Sequence, residues 1–199
     1  MIAFVRGEVA AVTLTSAVLE VGGVGLELMC TPGTLATLRV GRSATLPTSM
    51  VVREDSLTIF GFLDDDEKQV FEIAQTASGV GPKVAQAIVA VMSPDDVRRA
   101  IMTEDVKALT RVPGIGQKGA QRIILELKDR IGPPTGGHHA TSEVKPQEAW
   151  RDQVQQGLVG LGWSAKESEK AVEAVAPDAG EMPDVGALMR AALRTLSKA

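Results

Sequence analysis

Gly79-Val-Gly81-Pro-Lys83-Val-Ala85-Gln86-Ala-Ile88 recurs as Gly114-Ile-Gly116-Gln-Lys118-Gly-Ala120-Gln121-Arg-Ile123, with an offset of 35 residues at every match. Each copy is Gly-aliphatic-Gly, a Lys two positions on, and then a helical pattern. Glycines on both sides of the aliphatic residue permit a tight bend without Cβ clashes. Val80 or Ile115 can then point inward and pin the bend to its helices. The helix that follows offers unpaired N–H groups at its positive end, and the lysine adds a formal charge there. That combination is a phosphate-sized anion site, which grips a nucleic-acid backbone without reading bases. One such bend is equally an ordinary glycine-capped turn. Two copies with Lys at the same offset favour phosphate binding, and two sites in one domain suit the two strands of a duplex.

Local charge agrees with this. Between Ser78 and Arg130 nine basic residues face six acidic ones, a local excess of +3 in a chain of net charge −4. Arg122 lies four residues after Lys118 and shares its helix face. The chain has no Tyr, four Phe and two Trp. Proteins that hold single strands non-specifically stack bases on aromatic platforms, which this composition can hardly build.

Outward from the repeat, the flanks change period. Residues 1–63 carry short β-branched runs broken by Gly7, Gly22-Gly23 and Gly25, predicting a small β-barrel or sandwich. The Gly22–Gly25 cluster opens no helix and reads as a hairpin turn. From residue 64 to 132 the period is helical. Val70, Phe71, Ala74 and Ala77 share one face, Ser93-Pro94 starts a helix, and Ala120, Ile123, Ile124, Leu127 and Ile131 form a second stripe. Residues 133–147 are rich in Pro, Gly, Thr and Ser and predict a linker. Residues 148–199 predict three short helices, with Ser164-Ala-Lys-Glu167 as a capping box.

These segments, in this order, resemble the RuvA family of Holliday-junction proteins. The resemblance rests on Glu20-Val-Gly-Gly-Val-Gly25, Val51-Val-Arg53-Glu54-Asp55-Ser-Leu-Thr-Ile-Phe60-Gly-Phe62, Ser78-Gly-Val-Gly-Pro-Lys83 and Val112-Pro-Gly-Ile-Gly116. It implies a multidomain α+β fold: an N-terminal OB-fold barrel, a central tandem helix-hairpin-helix domain and a small C-terminal three-helix, UBA-like domain. It implies a homotetramer that holds four-way junction DNA open and square-planar, with two tetramers able to sandwich the DNA. It further implies recruitment of the RuvB AAA+ motor, and RuvC resolvase as a further partner. Gly79, Gly81, Lys83, Gly114, Gly116, Lys118 and Arg122 become the DNA-binding residues. Glu54 and Asp55 match an acidic pin, although Glu-Asp between two strand-like runs is also ordinary turn chemistry. Arg53 beside them either steers a phosphate or pairs with the acids. Gln117 stands where many members carry a basic residue, leaving Lys118 alone and the second site slightly weaker. Leu158, Leu161 and Trp163 are either a motor-docking patch or the core of the last domain.

Enzyme readings fare worse. Lys118 sits as a glycosylase lysine would, but the positions about twenty residues on, Gly136 to His139, lack the required Asp. Asp64-Asp65-Asp66-Glu67 resembles a metal cluster, yet such a run more often opens a helix. Gly116-Gln-Lys118-Gly119 lacks the Walker A spacing. The subunit is expected to be non-catalytic, with no cofactor and no metal. No run of about 18 apolar residues and no basic leader occur, and Cys30 stands alone, so a cytoplasmic protein without a membrane partner is expected. The competing function is a general double helix-hairpin-helix module for linear duplex.

Overall fold

The computed structural model describes residues 2–134, 146–180 and 183–196. The chain divides into two compact units, Met1–Gly137 and His138–Ala199.

The first unit begins with a closed five-stranded barrel. Its strands are β1 (Phe4–Val12), β2 (Ser16–Val21), β3 (Val24–Cys30), β4 (Ser43–Val52) and β5 (Leu57–Gly61), in the order β1-β2-β3-β5-β4. Only β3 and β5 pair in parallel. Alternation sends Val5 and Val9 inward from β1, opposite Leu46 and Leu19, and with Leu28 they fill the interior. A register shift between Val9 and Ala11 bends β1 so that it pairs on both edges, the usual effect of a bulge. A short helix that the strand pattern conceals, α1 (Pro32–Thr37), interrupts the strands. Its signal is local: Thr31 caps the helix through its side chain and Pro32 occupies the first turn.

Five helices follow: α2 (Asp65–Ala74), α3 (Pro82–Val91), α4 (Pro94–Met102), α5 (Val106–Leu109) and α6 (Gln117–Leu127). The acidic run is the start of α2, where the Asp64 carboxylate accepts from the N–H groups of Asp66 and Glu67 at 2.9 Å. Ser93 caps α4 as its position predicts. The helical stripes converge on one core. That core also takes in Phe60 and Phe62 from the last strand and the residues after it, packed on Phe71 of α2. Barrel and helices therefore share buried apolar surface, which explains why they form one compact unit.

Arg98 of α4 is buried at 3% exposure, and its guanidinium donates to both carboxylate oxygens of Asp66. The hydrogen bonds to Asp66 hold the Arg98 pKa above its ordinary value despite desolvation, with Asp95 adding to them. This arginine fastens α4 to α2 and is unavailable to a ligand.

In the second unit, α7 (Pro146–Gly160) starts two residues inside the expected linker. It packs with α8 (Ala165–Val175) and α9 (Val185–Leu196), and a 3-10 turn (Ala176–Asp178) follows α8. The Ser164–Glu167 capping box is formed. Trp150, Val154, Leu158, Val172 and Leu188 lie in the core. Among the described residues no helix is long and apolar enough to cross a membrane.

Candidate nucleic-acid interface

The two repeats fold into nearly identical bends. Gly79 and Gly114 adopt φ +85° and +88°, which only glycine takes readily. The Val80 N–H donates to the Ala77 carbonyl at 3.1 Å, and the Ile115 N–H donates to that of Val112 at 3.1 Å. Val80 and Ile115 are buried, so both aliphatic residues pin their bends to the core as expected.

The second glycine of each pair has a different role from the one inferred for it. Gly81 and Gly116 cap α3 and α6 with φ −85° and −88°, a conformation any residue adopts. A Cβ added at either would meet nothing within 4 Å. Neither the turn nor the interior requires glycine there. The missing side chains instead leave the backbone at both helix N-termini open to close approach from outside. Neither cap supplies a side-chain acceptor, so first-turn N–H groups stay uncapped at the positive ends of these helices. The two sites differ in one donor. Where α3 has Pro82 without an N–H, α6 has Gln117 with one.

The bends stand side by side. A Cβ at Gly114 would lie 3.5 Å from Cγ2 of Val84, in the first turn of α3. The Ser78 N–H, in the first bend, donates to Oε2 of Glu126 on α6 at 2.7 Å. Gly79, Gly81, Lys83, Gly114, Gly116, Lys118 and Arg122 are all exposed. Ion pairs among the described residues of this region engage Arg98, Arg99 and Lys128, leaving Lys83, Lys118 and Arg122 outside them. The structure thus divides the basic residues of this region into structural and uncommitted ones, a distinction that spacing does not make.

Glu54 and Asp55 occupy the exposed tip between β4 and β5. The Arg53 N–H donates to the Ser56 carbonyl at 2.9 Å and closes this turn. Rather than pairing with the acids, the Arg53 side chain lines a groove of about 630 Å³ that runs to Gly81 and Lys83 at the first bend. The groove thus joins Arg53 and Ser56, the residues flanking the acidic tip, to Gly81 and Lys83 of the first bend.

In the second unit the three residues expected at a docking patch separate. Leu158 is fully buried and belongs to the core, the second of its two readings, and so is not part of an exposed patch. Trp163 is half-buried against that core. Leu161 is 62% exposed and is the one free to meet a partner. His138 and His139 lie outside the described residues.

Comparison with known proteins assigns this arrangement. Residues 1–61 match the family model described as RuvA N terminal domain, and residues 149–197 match RuvA, C-terminal domain. Residues 71–129 match the SAM-like helix-hairpin-helix tandem. A relative from Nocardioides sp. is 75% identical over the full length of both chains. The chain belongs to the RuvA family. RuvA proteins from Streptomyces coelicolor and Thermobifida fusca are each 59% identical, again over the whole of both chains. All three are named Holliday junction branch migration complex subunit RuvA. The RuvA order of barrel, tandem hairpins and C-terminal helices is the order found here.

Proposed function

We propose that this chain binds four-way junction DNA as the non-catalytic subunit of a branch-migration complex. The observation that carries the proposal is the pair of equivalent, exposed, adjacent bends with open backbone at Gly81 and Gly116. Phosphates of opposite strands across a minor groove dock on the two helix N-termini. Lys83, Lys118 and Arg122 neutralise them, and the contacts carry no base sequence. The extra Gln117 N–H in the second bend offsets its single lysine.

Four copies around a four-fold axis present one bend pair to each arm of a junction. Glu54 and Asp55 from each copy then crowd the centre. Their charge repels phosphates, keeps the crossover open and helps part the strands. The C-terminal unit recruits a RuvB-type ATPase through the surface around Leu161, and the hydrolysis that drives migration takes place in that partner.

Gel-shift competition tests the proposal. Labelled four-way junction is challenged with unlabelled junction or with linear duplex of equal length. Junction is expected to win by at least about a hundredfold, equivalent to roughly 2.7 kcal/mol. Equal competition would leave a general duplex-binding module, and a monomer in a sizing run would remove the four-arm argument.

A further inference from the structure

Among the matched places where the two copies differ, two breaks meet in space. Position 78 is Ser in the first bend, and its counterpart 35 residues on is Pro113. Position 126 is Glu on the second repeat's helix, and its counterpart in the first is Val91. Ser78 has an N–H to satisfy and Pro113 has none. Glu126, half-buried, supplies the acceptor at 2.7 Å. The first bend is thus tied across the repeat boundary to the helix that carries Lys118 and Arg122, whereas the second is stiffened by its own proline.

Electrostatics makes this carboxylate conspicuous. A negative charge against the first bend opposes DNA, so a surface selected only for phosphate attraction would not keep it there. We propose that Glu126 is a positioning residue. By holding the Ser78 amide it fixes the separation of the two bends, so that both engage the strands of one duplex arm at once. The inference rests on the DNA-binding role proposed above. It differs from that role in assigning function to an acidic group that touches no phosphate.

The test uses the full-length protein, a four-way junction and a linear duplex, with affinity measured as a function of salt. The slope of log affinity against log salt counts neutralised phosphates, about 0.9 for each on duplex DNA. E126Q keeps a carbonyl acceptor and loses the charge. Its affinity is expected to match or exceed the parent protein's, with the slope unchanged. E126A removes the acceptor, and S78P removes the donor by copying the second bend's own residue. Each is expected to lose about tenfold in affinity and to show a shallower slope, because one bend at a time is engaged. A purely structural role would lower the melting temperature and leave the slope of the folded protein alone. Parent-like affinity and slope in folded E126A or S78P overturn the proposal. Should either variant fail to fold, E126Q decides: a tenfold loss there overturns it and retained binding supports it. A Lys83→Ala/Lys118→Ala arm separates the two levels. If that variant binds normally, the DNA-binding role of the bends fails; if it weakens while E126A does not, only the role of Glu126 fails.

Discussion

The ring of Phe62, just past the last barrel strand, lies 4.8 Å from the ring of Phe71 on α2, tilted by 50°. Phe60 lies 5.0 Å from the same ring. Three of the four phenylalanines in the chain therefore sit where barrel and helices meet. The β4–β5 hairpin bears Glu54 and Asp55 at one end and leads into this cluster at the other, so the acidic tip is anchored to the unit that carries the bends. Phe71→Ala is expected to cost about 3–5 kcal/mol. Calorimetry should show barrel and helical region still melting in one transition at lower temperature. Two separated transitions would mean that the shared core does not couple them.

The glycines of one bend are expected to behave oppositely. Gly79→Ala forces an alanine to φ +85° and should cost about 1–2 kcal/mol. At Gly81, alanine restricts the unfolded chain by about 0.4–1 kcal/mol in favour of folding and caps a helix somewhat less well than glycine. The net change in stability should stay within about 1 kcal/mol, while DNA affinity falls because the new methyl group occupies the approach. Thermal melts paired with gel shifts check both halves. Undiminished binding by Gly81→Ala would show that nothing approaches the backbone there.

Replacing Lys83 and Lys118 together with alanine is expected to weaken junction and duplex binding. The salt slope should flatten by about 2, near 0.9 for each phosphate no longer neutralised. Sequence preference should not change, since these side chains meet no base edges. A fluorescence titration between about 50 and 200 mM salt, a range over which phosphate neutralisation dominates affinity, gives the slope directly.

Neutralising the acidic tip as Glu54→Gln/Asp55→Asn is expected to leave stability within about 0.5 kcal/mol, as for exposed positions generally. Junction affinity should hold or rise. The rate of branch migration with the motor should change. Loss of folding would return these residues to an ordinary turn.

Leu158 and Leu161 are three residues apart and are expected to separate folding from docking. Leu158→Ala should cost about 2–5 kcal/mol, enough to unfold a unit of this size. Leu161→Ala should leave circular dichroism unchanged and reduce stimulation of the partner ATPase. A variant at Leu161 that stimulates normally would move the docking surface elsewhere.

Features written in neighbouring residues are legible in the chain alone. The tandem bends, the helical stripes, the Ser93 and Ser164 caps and the change to a Pro/Gly-rich stretch after residue 132 all depend on backbone preference or periodicity within about ten positions. The helix α1 is equally local, written in Thr31-Pro32, but hides among strands. Which groups are committed and which are free is settled only when distant segments pack. Arg98 and Lys118 look alike in the chain, yet one is buried against Asp66 and the other is exposed. Leu158 and Leu161 look alike, yet one is core. Gly79 and Gly81 look alike, yet only the first needs a positive φ. The tie from Ser78 to Glu126 spans 48 residues. Burial and partnership arise from such long-range contacts, and no local window of the chain contains both ends of them.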